Sequence, residues 1–205
     1  MIDIEIAQGL KLRAMDGEIG FYLVISNDNG NVYISITKEI YDRFLNLKLK
    51  NISHKEIERK FLVKNPPDLD FCDFFDIEQF YLLKDDNAFN SLRARKSNES
   101  YFITFKSGKG LSRIEEEFEI SCFNFEYCEK IRISKNIKKT RYRYLLKKSA
   151  LISEIDFFKD SYDGLIVVEV EFVSEEEANN FLPPFWFGRE VTNEKEYLNI
   201  TMAFS

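Results

Sequence analysis

The sequence predicts an α+β fold: a closed, antiparallel β-barrel of eight strands with a few flanking helices, preceded by a small α+β appendage. Three observations predict it. The chain carries 20 Phe and 10 Tyr, and aromatic side chains suit a pleated, half-buried surface better than a helix. Eight apolar-alternating segments succeed one another, separated by clusters of Asn, Asp, Gly and Ser. Within those segments the charges recur at every second residue, which puts them on one face of each strand. A length of 205 residues with 44% hydrophobic content supports one large core and a small attachment.

Residues 1–52 read as the appendage and 53–205 as the main domain. Ile2–Ala7 alternates apolar and acidic residues like a half-buried strand. Gly20–Ser26 and Asn31–Thr37 flank Asn27-Asp28-Asn29-Gly30, a hairpin signal. Thr37 is placed to cap a helix through Ile40, Phe44 and Leu47, and Asn51–His54 reads as a linker. The eight strands of the main domain are Ile57–Val63, Glu78–Leu83, Ser91–Lys96, Tyr101–Ser107, Arg113–Ile120, Lys138–Leu146, Leu151–Phe158 and Leu165–Val173. Asn124–Ile133 has a helical pattern. Ser174 with Glu177 three residues on makes a capping box for a second helix, which Pro183-Pro184 stops.

A net charge of −6 argues against nucleic acid or an anionic membrane as partner, though it allows a local basic pocket. No apolar run approaches the ~20 residues of a membrane span, and Asp3 and Glu5 do not fit a signal peptide. Cys72, Cys122 and Cys128 have no metal-ligand spacing and read as free thiols in a reducing cytoplasm. His54, the single histidine, falls in the linker, so histidine-based catalysis is not expected.

The charges segregate by strand. Glu56, Glu58 and Lys60 share a face, as do Arg93 with Arg95, Glu115 with Glu117 and Glu119, Arg141 with Arg143, Glu154 with Asp156, and Glu169 with Glu171. A sheet with one wet face produces alternation too, but it would mix Lys, Thr, Ser and Gln. Separate acidic and Arg-based basic pairs point instead to a hydrated interior: carboxylates for hard divalent cations, planar guanidinium forks for a polyanion.

Glu56-Ile57-Glu58-Arg59-Lys60-Phe61-Leu62-Val63 resembles the opening motif of the triphosphate tunnel metalloenzymes, the CYTH family. Later segments resemble the family's strands in the same order: Gln79–Leu82, Leu92–Arg95, Thr104–Gly108, Arg113–Ile120, Lys139–Tyr142, Glu154–Phe158, Val168–Phe172, and Gly188–Thr192 with Lys195, Tyr197 and Asn199. The resemblance covers about Lys55 to Ala203 and is strongest toward small bacterial tripolyphosphatases. Glu115-Glu116-Glu117-Phe118-Glu119 is longer than the usual acidic strand, Leu198 stands where a polar residue is common, and residues 1–50 have no counterpart.

The resemblance implies metal-dependent hydrolysis of a triphosphate, either inorganic tripolyphosphate or a nucleoside triphosphate, inside the charged barrel. It implies Mg²⁺ or Mn²⁺ on Glu56, Glu58, Glu169 and Glu171, with Asp156 completing the metal shell directly or through water. Lys60, Arg93, Arg95, Lys106, Arg141 and Lys195 would bind the phosphates. Catalysis would rest on Glu58, Lys60, Arg95, Glu169 and Glu171, and a glutamate of the Glu169/Glu171 or Glu117/Glu119 sets would orient water. Two alternatives stay open: an adenylate cyclase of the same fold, or a non-catalytic sensor of polyphosphate or nucleotide. Residues 1–50 could serve a homodimer or a protein partner. Trp186 is expected to pack the C-terminal segment onto the barrel.

Overall fold

A computed structural model of the chain describes residues 2–7, 10–17, 20–27, 30–38, 55–85, 90–107 and 112–205. The predicted helix through Ile40, Phe44 and Leu47 and the Asn51–His54 linker lie outside the described residues.

The first residues form an antiparallel meander of four strands, β1 (Ile2–Ala7), β2 (Leu10–Gly17), β3 (Gly20–Asn27) and β4 (Gly30–Ile36), in a sheet of their own. β2 is an addition to the predicted elements, and its Leu10-Lys11-Leu12-Arg13 alternation is the signal for it. The β3–β4 hairpin turns at Asn27–Gly30 as predicted, and Gly30 has φ 138°, which a side chain rarely adopts.

The main sheet is built of β5 (Lys55–Val63), β6 (Asp73–Asp85), β7 (Asn90–Ser97), β8 (Ser100–Ser107), β9 (Ser112–Ile120), β10 (Ile137–Leu146), β11 (Leu151–Phe158), β12 (Ile166–Glu171) and β13 (Phe187–Glu190). This corrects the prediction of a closed eight-stranded barrel: the sheet has nine strands, in the order β12-β11-β10-β6-β7-β8-β9-β5-β13, and β13 leaves it with a free end. β12 pairs with β5 as well, so the sheet curls round on itself. β5 serves three neighbours. It pairs with β12 along Glu58–Leu62, with β9 along Lys55–Ile57 and with β13 at Phe61 and Val63. β13 is four residues long and contains Gly188, so it carries too little alternation to be read as a strand. Gly188 is required there: a Cβ would stand 2.8 Å from the Leu62 carbonyl oxygen.

Apolar faces turn outward from the curled sheet and are covered in two places. Phe80, Leu92, Ile103 and Phe118 are buried beneath α1 (Cys122–Lys130), whose Phe125 and Cys128 join them. Ile34 and Ile36 of β4 lie in the same cluster, so the meander closes this core. Ser121 caps α1 by accepting from the Asn124 N–H at 3.2 Å, which starts the helix two residues earlier than its periodicity suggests. On the other side Phe61, Val168, Val170 and Phe172 pack with Ala178 of α2 (Glu175–Asn180) and with Phe181 and Phe187. Ser174 caps α2 and Glu177 reaches back to the Val173 N–H, so the predicted capping pair forms one residue displaced. Trp186 sits edge-on to Tyr144 and Phe187 as a packing residue.

A third cluster occupies one end of the inward face. Tyr81, Ile137, Phe158 and Val167 meet Met202 and Ala203 of α3 (Asn199–Ala203), a short C-terminal helix not foreseen from sequence. Among the described residues no helix is long and apolar enough to cross a membrane.

Candidate active site

Antiparallel register decides which side chains share the inward face, because directly opposed residues point to the same side. Glu171 is opposite Glu58 and Glu169 opposite Lys60. Glu154 is opposite both Glu169 and Arg143, and Arg141 is opposite Asp156. Further round the sheet, on the same inward face, Arg93, Thr104 and Glu117 form one row, and Ser91, Lys106 and Glu115 the next. The alternation in sequence therefore becomes one contiguous charged surface.

Two networks divide it. In the first, Lys60 Nζ lies 2.7 Å from Glu169 and 3.8 Å from Glu58. Arg141 grips Asp156 with two donors at 2.6 Å, reaches Glu169 at 2.7 Å and also pairs with Glu154. Lys139 Nζ adds a 2.5 Å bond to Asp156. In the second, Lys106 Nζ bonds both Glu56 oxygens, at 3.0 and 3.1 Å, and Glu115 at 2.7 Å. Arg95 donates to Glu117 at 2.7 Å, Thr104 donates to the same carboxylate at 2.6 Å, and Arg93 donates to Thr104 at 3.1 Å.

The backbone of the key strand is held from outside. Val191 N–H donates to the Lys60 carbonyl at 2.8 Å, and the Lys60 N–H donates to Thr192 Oγ1 at 3.0 Å. Arg59 points the opposite way. It forms a two-pronged pair with Glu190 and donates to the Ala178 and Phe181 carbonyls at the end of α2. The Gly188–Thr192 segment thus fixes the strand that carries Glu56, Glu58 and Lys60.

Charge balance in the interior is uneven. Burial pushes the Glu56 carboxyl up to about 8, with Glu58 and Glu115 adding to the shift and Lys106 opposing it. Glu115 is held at about 2: burial opposes, but Lys106 and Arg93 prevail. Glu169 is driven well below the carboxylate range by Lys60 and Arg141 in spite of its burial. Glu171 is exposed by area, yet it is raised by desolvation and by Glu154, Glu58, Glu115 and Glu169 around it. Lys139 falls to about 8 through burial and the neighbouring Arg141.

This surface fits a divalent cation and a polyanion together. Glu56 and Glu171 resist ionisation because they are desolvated and carboxylates crowd them, and a hard cation on oxygen ligands would relieve that repulsion. Among the described residues no three acidic groups stand at metal-holding distance; Lys60, Lys106 and Arg141 sit on their oxygens instead. The buried Nε donors of Arg93 and Arg95 and both amide atoms of Gln79 lack partners among the described residues. Gln79 is directly opposite Arg95. Buried donors left open mark a place for an acceptor-rich ligand.

Of the residues named from sequence, Glu56, Glu58, Lys60, Arg93, Arg95, Lys106, Arg141, Asp156, Glu169 and Glu171 share this surface. Lys195 does not join them: it is exposed on the turn Lys195–Tyr197. Asp156 is fully buried with both oxygens committed to Arg141 and Lys139, so it braces those cations. Arg141, assigned to the phosphates by resemblance, is surrounded by carboxylates. Sequence reasoning missed Lys139, Thr104 and Gln79; Lys139 has the same strand parity as Arg141, which was the available signal. Glu115 faces inward and Glu116 is buried without sharing that row, which settles the register of the long acidic strand.

The CYTH domain family model matches residues 54–203. An inorganic triphosphatase of Nitrosomonas europaea is 41% identical over 150 residues, covering 73% of this chain and 97% of the relative. An inorganic triphosphatase of Acetivibrio thermocellus is 34% identical over 155 residues, covering 73% and 93%. Among solved structures, an inorganic triphosphatase is similar at 38% identity and TM-score 0.56, over 73% of this chain and 95% of that one.

Proposed function

The chain belongs to the CYTH domain family, and we propose that it hydrolyses inorganic tripolyphosphate or, as a second substrate class, a nucleoside triphosphate, using Mg²⁺ or Mn²⁺. The observation that carries this reading is the pair Arg93 and Arg95, the first buried and the second half-buried, whose buried Nε donors lack partners among the described residues and lie on the same inward face as the crowded carboxylates. The names of the two relatives support the same reaction class. The β12–β5 pairing supports a curled sheet whose charged inward face receives the substrate.

In this reading Arg93, Arg95, Lys60 and Lys106 take phosphate oxygens, exchanging the carboxylates they hold in the unliganded protein. Glu56, Glu58 and Glu169, relieved of those ammonium groups, would hold the metal together with Glu171. When bound, such a cation would supply Lewis acidity toward water and offset phosphate charge. Arg141 keeps its grip on Asp156 and orients Glu169. A glutamate of the Glu169/Glu171 or Glu117/Glu119 sets aligns the attacking water. Phosphoryl transfer needs mainly alignment and charge stabilisation, which cations carried on paired strands supply once they have turned to the substrate. A cytoplasmic location accords with the three free cysteines. Residues 1–50 belong in this reading to assembly or to a protein partner, supported by exposed Tyr33 on β4.

The test is a phosphate-release screen of tripolyphosphate, ATP, GTP and thiamine triphosphate with Mg²⁺ and Mn²⁺, beside Glu169→Ala and Arg95→Ala. Orthophosphate from tripolyphosphate, lost in both variants, is the expected result. Equal activity in all three proteins would overturn the site, and pyrophosphate from ATP would indicate a cyclase.

A further inference from the structure

On the outward side of the sheet, away from the charged face, a groove of about 1020 Å³ lies between the β10–β11 turn and α2. Tyr144, Leu146, Leu151, Phe181 and Trp186 line it. Leu182 and Phe185 border the same groove and are 87% and 99% exposed. Pro183 and Pro184 stand between them, restricting the backbone so that both apolar side chains are displayed at small entropic cost. Large apolar groups concentrated beside an apolar groove mark an interaction surface.

The charges around the groove identify the occupant. Lys147 and Lys148 are exposed on the β10–β11 turn, and Glu176 is exposed on α2. Among the described residues none of the three has an ion pair within the chain. A lipid surface would be met by cations alone. Here both signs are present, together with a projecting apolar element and a recess to receive it. A surface that carries both halves of its own complement is suited to an isologous two-fold contact.

We propose that this face is the interface of a homodimer. Leu182 and Phe185 of each copy enter the groove of the other, and Lys147 and Lys148 face Glu176 across the two-fold axis. Tyr144 and Leu146 belong to the outward parity of β10, opposite to Arg141 and Arg143, so pairing leaves the charged surface open to substrate.

The test is light scattering and sedimentation of the full chain over a wide dilution series. A reversible dimer of the 24.3 kDa chain is expected. Leu182→Asp/Phe185→Asp should be monomeric, with unchanged circular dichroism and unchanged phosphate release per chain. Lys147→Glu/Lys148→Glu should weaken the dimer roughly tenfold, and adding Glu176→Lys should restore it, an outcome that general misfolding cannot produce. A monomeric wild type, or a dimer indifferent to both the aspartate and the charge variants, would overturn the proposal. So would wild-type binding to anionic vesicles that the aspartate variants lose without any change of mass.

Discussion

The two charged networks differ in how fully their cations are engaged. Around Arg141, three carboxylates consume the guanidinium donors, and Asp156 is locked between it and Lys139. Around Arg93 and Arg95, the carboxylate contacts leave both Nε groups without partners among the described residues. The residues are of the same kinds, yet one network is saturated and the other is open. A saturated buried network sets geometry, since breaking it leaves uncompensated charge. An open one keeps affinity in reserve for a ligand. The comparison teaches that arginines on one inward face can differ in how many of their donors the carboxylates take up, and in the proposed function this divides them into bracing and binding roles.

Removal of Glu169 attacks the saturated network and should have the largest effect. Glu169→Ala takes from Lys60 its 2.7 Å partner and strips one from Arg141. Unfolding stability should drop by about 3 kcal/mol, readable by urea titration, and phosphate release should fall at least ~100-fold. Arg95→Ala attacks the open network. It should cost on the order of 10²–10³ in turnover while stability changes by less than about 1 kcal/mol, because Glu117 keeps Thr104. If both variants lost stability equally, the distinction between the networks would fail.

Glu56 gives a smaller effect with a definite sign. Its carboxyl is raised from 4.5 to about 8 in the folded protein. Between those values the folded state holds a proton that the unfolded chain has released, so this group's contribution to stability falls as pH rises through that window. A divalent cation favours the carboxylate, so the increase in Tm on adding Mg²⁺ should grow from about pH 6 to about pH 9. A Mg²⁺ effect independent of pH would remove Glu56 from the cation site. Lys195→Ala should do least, leaving turnover unchanged and stability within about 0.5 kcal/mol.

Strand positions were legible because charge and apolarity alternate strictly, as in Val168-Glu169-Val170-Glu171-Phe172, where period two allows a single assignment of faces. The inward set came from the same parity. The pairing of charges did not. Arg141 lies among acids because β10 is placed between β6 and β11, an adjacency fixed by sheet topology and not by local pattern. The resemblance assigns Asp156 to the metal shell, and only its hydrogen bonds from Arg141 and Lys139 show that both oxygens are used. β13 and α3 stayed hidden because four and five residues are too few for periodicity to speak.

The threefold pairing of β5 reaches into how the protein is made. Glu56, Glu58 and Lys60 leave the ribosome well before their partners on β12 and the Val191–Thr192 brace. Non-local pairings of this kind form late, after the loop-closure entropy has been met. A nascent chain that stops before Glu171 has Arg93 and Arg95 but lacks the β12–β5 pairing. Synthesis must pass Thr192 before the strand carrying Glu56, Glu58 and Lys60 is held along both of its edges.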